Sequence, residues 1–188
     1  MLTWILAAIM TLSPGLVLAH AGHEGSGHGS GFLAGLGHPI GGLDHVLAMV
    51  AVGLWAALLG GRAIWSLPLA FITAMLAGGA AGALALPLPG VEPMILASIV
   101  ALGTAAALAL RLPPGAAIAV AAVFGLFHGH AHGSEGPAEG LALYAAGFAI
   151  ATAALHSAGL ALGFGITRVA AQVLAGLAAL AGVALALG

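Results

Sequence analysis

The chain has 188 residues, 62% of them hydrophobic, with three arginines, no lysine, one aspartate and four glutamates. A soluble domain carries roughly a quarter charged residues; at 4% charged and a net charge of −2, this chain cannot clothe a water-facing surface and lacks the basic face of a nucleic-acid binder. Zero cysteines exclude disulfides, iron–sulfur clusters and thiolate metal sites, whereas nine histidines outnumber the full charges.

Residues 4–19, WILAAIMTLSPGLVLA, form an apolar stretch ending in Val17-Leu18-Ala19, side chains that suit the positions a signal peptidase reads. The Gly-rich segment HAGHEGSGHGSG follows at residues 20–31. The pattern predicts a signal peptide over residues 1–19, cleaved after Ala19, and a His/Gly-rich periplasmic arm over 20–31. An extra membrane anchor is the alternative, because no Lys or Arg precedes the apolar stretch. On the arm, His20 and His23, with His28, are either metal-capturing ligands or part of a solvated tail.

Beyond the arm, apolar blocks can be set against a span of ~20 residues. They cover residues 32–59, 64–86, 93–110, 115–131, 141–164 and 169–187. Glycine, proline or arginine punctuates each boundary. Ala and Leu dominate and aromatics are only 5%, which indicates helices rather than barrel strands. The predicted fold is therefore all-α: a polytopic membrane protein with six transmembrane helices over residues 32–188. Its first helix is interrupted by His38-Pro39 and Gly41-Gly42.

Arg62, Arg111 and Arg168 follow the first, third and fifth blocks, so all three lie on one side. Positive loops stay cytoplasmic, which puts both termini outside. Small residues at Gly78, Gly79 and Gly82, and the pair Gly159 and Gly163, suit close helix packing in lipid. Met49, Met75 and Phe71 read as core.

The chemistry concentrates in three places. The first block contains HPIGGLDHVLAM, with His38, Asp44 and His45. Asp44 is the chain's one aspartate, and an ionisable group inside an apolar span costs several kcal/mol unless it has a function or a partner. The fourth block ends in FHGHAHGSE, with His128, His130, His132 and Glu135. On a regular helix His128 and His132 share a face while His130 points about 200° away; unwinding at Gly129 and Gly133 would let all three converge. Imidazole and carboxylate together suit a borderline transition metal. Glu92, before Pro93, is either a further ligand or a carboxylate placed on a helix N-terminus. His156 is either a ligand or a hydrogen-bonding partner between helices. With the predicted topology, nearly all these groups gather at the outward mouth.

HPIGGLDH, GVEP before the third block and FHGHAHGSE together resemble the HupE/UreJ family of hydrogenase and urease accessory proteins. The similarity spans nearly the whole chain, and both signatures, H-x5-D-H and F-H-G-x-A-H-G-x-E, are present. The resemblance implies a nickel permease of the bacterial inner membrane, with a cleaved signal sequence and six membrane helices. Cobalt is the alternative substrate in some members. Carried over by position, the functional residues are His38, Asp44, His45, Glu92, His128, His132 and Glu135; Phe71 and His156 also occupy family-typical places. His130 falls at the variable position of its signature.

No permanently bound cofactor is expected, only the transported Ni²⁺ or Co²⁺, and the partners are the ion and the lipid bilayer. Self-association into a homo-oligomer is left open. No G-x4-G-K-[ST] motif occurs, so the chain itself carries no ATPase. An intramembrane hydrolase using Ser98 or Ser157 lacks H-E-x-x-H and G-x-S-x-G motifs. A haem protein with His45, His128 or His156 as axial ligands is the other rival.

Overall fold

The computed structural model describes residues 30–187 apart from 138. The predicted signal peptide, the arm up to residue 29 and therefore His20, His23 and His28 lie outside the described residues. Among those described, the chain forms seven helices and no strand: α1 (Ser30–Gly41), α2 (Leu43–Leu59), α3 (Ala63–Ala83), α4 (Val91–Ala107), α5 (Pro114–Glu135), α6 (Leu141–Gly165) and α7 (Arg168–Leu187). Helices α3, α5, α6 and α7 are long and apolar enough to cross a membrane. Helices α1 and α2 meet that test only as a pair bent by 82°, and α4 is shorter, at 17 residues.

The interruption in the first block falls at Gly42, not at His38-Pro39. Pro39 stays inside α1 and is buried. Its missing N–H removes the helical donor to the Gly35 carbonyl, two residues before the helix ends. The chain turns at Gly42, whose backbone is extended (φ −110, ψ 121).

Helix α2 is the centre of the bundle. Met49, Val52, Leu54, Trp55 and Ala56 are buried, and the helix packs against α3, α4, α6 and α7. Lipid gives helices no hydrophobic reason to associate, so close backbone approach must supply the attraction. Glycine provides it. A Cβ on Gly125, Gly129 or Gly133 of α5 would land on the carbonyl oxygens of Phe71, Met75 and Gly79 in α3. In return Gly78 and Gly82 of α3 receive the carbonyls of Leu126 and His130. The pairing order makes α3 and α5 parallel neighbours. Gly53 and Gly159 join α2 to α6 in the same way, and Gly35 and Gly147 join α1 to α6.

One end of the bundle is fastened by polar side chains. Trp55 Nε1 donates to Leu110 O (3.1 Å), Arg168 Nη1 to Leu58 O (3.3 Å) and Gln172 Nε2 to Ala107 O (2.8 Å). These satisfy carbonyls at or just beyond the C-termini of α2 and α4 that helices leave unpaired. Arg62, Arg111 and Arg168 all belong to this end, as the loop pattern predicts. The N-terminus of α2, with Asp44 and His45, lies about 20 Å away along the helix.

Candidate metal site

The 82° turn at Gly42 brings the end of α1 and the start of α2 against the last turns of α5. His38, Asp44 and His45 therefore meet His128 and His132, although the two segments are far apart in sequence. His45 Nε2 lies 2.6 Å from His132 Nε2. Two facing lone pairs repel, so a proton or a cation must sit between these nitrogens. The ring of His45 is also 5.0 Å from that of His128, and the ring of His38 is 4.6 Å from that of His132. Ligand atoms of His45, His128 and His132 lie within 4.8 Å of one another, as do those of His38, His132 and Glu135. His132 belongs to both groups.

Two neighbours fix which nitrogen each ring presents. Asp44 Oδ1 is 2.8 Å from His45 Nδ1. A carboxylate only accepts, so Nδ1 carries the proton and Nε2 turns its lone pair towards His132. This carboxylate–histidine arrangement is the one that orients metal-binding imidazoles. Asp44 also sits in the first turn of α2, where the helix dipole favours a negative charge. Ser98 performs the corresponding task on α4. Its hydroxyl donates to Ile95 O (2.6 Å), so its oxygen accepts from His128 Nε2–H (2.9 Å). The His128 Nδ1 lone pair is left buried without a protein partner. An orphaned buried nitrogen costs about 1–3 kcal/mol, and His132 Nδ1 is another.

Apolar rings shield the cluster. The Phe148 ring is tilted against His132, 4.3 Å away, and lies 5.9 Å from His38, and Tyr144 is also 5.9 Å from His38. Tyr144, Phe148, Met75 and His132 share a cavity of about 250 Å³ between α3, α5 and α6. Glu135 is exposed at the end of α5, beside His38 and His132.

Other predicted residues sit apart. His130 does not converge with its neighbours: α5 remains helical through Glu135, so its ring points away and Nε2 lies 2.7 Å from Leu86 O. Gly129 and Gly133 serve packing rather than unwinding. Glu92 is exposed in the first turn of α4 and belongs to neither group among the described residues. His156 makes no interhelical hydrogen bond among the described residues; both its ring nitrogens are buried and unpartnered there. Met49, Met75 and Phe71 are core, and the Phe71 ring touches both His128 (5.5 Å) and His156 (5.2 Å). The role of Ser98 is invisible in sequence, since a lone serine in an apolar block carries no sign of the ring it will face.

The family model described as HupE / UreJ protein matches residues 7–187. Protein HupE of Rhizobium leguminosarum bv. viciae is 44% identical over 192 residues, covering 100% of this chain and 97% of its own length. No solved structure matches. With nearly its whole length matched, the chain belongs to the HupE/UreJ family.

Proposed function

We propose that this protein is an uptake permease for a divalent transition-metal cation, Ni²⁺ before Co²⁺, that supplies hydrogenase or urease maturation. One observation carries the reading: three buried imidazoles on α2 and α5 converge, and Asp44 and Ser98 fix the tautomers of two of them. A nitrogen- and oxygen-rich site without thiolate suits a borderline ion. Such a buried group of neutral bases has no structural purpose that apolar side chains would not serve better.

In this reading the six apolar blocks are six spans, with both termini outside and the signal peptide removed. The histidine end faces the periplasm and the arginine end the cytoplasm. Glu135 and His38 meet the incoming ion first. It passes to His132, which both ligand groups share, and then binds between His45, His128 and His132. Asp44 holds its charge beside the ion while keeping His45 in register. The membrane potential supplies about 2.3 kcal/mol per charge per 100 mV, so a divalent cation is drawn inward without nucleotide hydrolysis.

Purified protein in liposomes tests this. With an inside-negative potential, Ni²⁺ should enter faster than Zn²⁺, and His132→Ala should reduce entry at limiting Ni²⁺ by about 10–100-fold. Liposomes that take up no Ni²⁺, Co²⁺ or Zn²⁺ would overturn the reading.

A further inference from the structure

Among the described residues, His156 is the one buried histidine that the converging site does not use and no hydrogen bond explains. It is 1% exposed, and both ring nitrogens lack a partner. A ring used for packing would be better replaced by a leucine or phenylalanine, which strands no polar atom. Its position along the bundle is informative. The His156 carbonyl is the group that Gly53 of α2 receives, eight residues beyond His45 and about 12 Å further towards the arginine end. Side chains on a helix lean towards its N-terminus, so the ring on α6 leans back towards the converging site.

The same stretch carries other donors. Thr152, one turn earlier on α6, places its hydroxyl 3.6 Å from Met75 Sδ, and Met75 lies one turn beyond Phe71 on α3. The Phe71 ring bridges the two levels, edge-on to His156 (5.2 Å, 89°) and against His128 (5.5 Å). Imidazole, thioether and hydroxyl together suit a borderline transition-metal cation and exclude the hard ions Mg²⁺ and Ca²⁺.

Resting on the uptake reading above, we infer that His156 is a second, inner cation site, and that Met75 and Thr152, one turn nearer the converging site, are the donors an ion from His128 meets on its way past the Phe71 ring. The ion leaves the converging imidazoles, Phe71 swings aside, and the orphaned nitrogen of His156 gains its partner. The low donor count makes the inner site weak, which suits release towards the cytoplasm.

The experiment compares wild type with His156→Leu and His156→Gln. Equilibrium binding of ⁶³Ni²⁺ to purified protein reads the outer site, thermal unfolding reads the fold, and liposome uptake at saturating Ni²⁺ reads passage. Leucine should leave outer-site affinity unchanged and keep or raise the melting temperature, yet lower the maximum uptake rate by about tenfold or more. Glutamine, which retains a ligand oxygen, should recover part of that rate. Wild-type uptake by His156→Leu would overturn the inner site. So would equal loss in both variants, or a lowered melting temperature with lost outer-site binding, which would mark His156 as structural. If wild-type protein itself moves no cation, the uptake reading fails instead, and a stabilised His156→Leu protein would still show that the ring serves no packing purpose.

Discussion

Asp44 and Ser98 do not have to touch the ion to control it, because each decides which ring nitrogen faces the centre. For Asp44→Asn the side-chain volume stays and an oxygen remains to accept from His45 Nδ1, but the charge beside the ion is gone. Nickel affinity should fall about 10–100-fold with the fold intact, as equilibrium dialysis against ⁶³Ni²⁺ would show. Ser98→Ala removes the acceptor that holds the His128 proton on Nε2. Half-saturation should rise about tenfold, Ser98→Thr should restore it, and ring ¹⁵N shifts should show wild-type His128 protonated at Nε2 and the alanine variant mixed. The residues that carry charge or imidazole were legible from sequence: an aspartate inside an apolar span, and two histidines one turn apart, have few other uses. His130 was ambiguous because its spacing fits a ligand only if the helix unwinds. Ser98 was illegible because its meaning lies in a contact across 30 positions.

At the scale of elements, the glycines separate two jobs that look alike in sequence. Gly129 and Gly133 could loosen a helix or let another approach it. The carbonyls of Met75 and Gly79, placed where their Cβ atoms would go, decide for approach. Gly129→Ala should therefore prevent assembly of the α3–α5 pair, at a cost of about 1–3 kcal/mol or more. Gly37→Ala, with nothing within 4 Å, should be tolerated; size-exclusion profiles and melting temperatures of the two variants check the contrast. Gly42 is different again. A Cβ there would lie 2.6 Å from Asp44 Oδ1 and 2.9 Å from His45 Nδ1, so it would press on the pair that orients the site. Gly42→Ala should weaken nickel binding about tenfold while the melting temperature changes little. Helix boundaries were legible because glycine and proline punctuate each block. The 82° turn was not, since sequence showed a weakened stretch but not the surface against which α1 folds back.

For the whole molecule, the direction of the proposed transport depends on which end faces out, and on whether α4 crosses the membrane at all. At 17 residues it is about 25 Å long, short of a hydrocarbon core of about 30 Å. Its neighbour α7 has 20 residues and packs against it through Gly103 and Gly182, which gives α4 a full-length partner in lipid. If α4 crosses, the loop holding Pro89 lies outside with the histidines, and the loop holding Leu112 lies inside with Arg111. If α4 does not cross, the two loops share a side and the three arginines cannot all be cytoplasmic. The absence of cysteine makes the chain a clean background for deciding this. Both Pro89 and Leu112 are exposed, so either tolerates replacement by cysteine. Spheroplasts treated with a membrane-impermeant maleimide should label Pro89→Cys at once and Leu112→Cys only after permeabilisation. Labelling of both from outside would remove α4 from the set of spans. The opposite pattern would turn the His45, His128 and His132 cluster towards the cytoplasm, where it would collect metal for export rather than uptake.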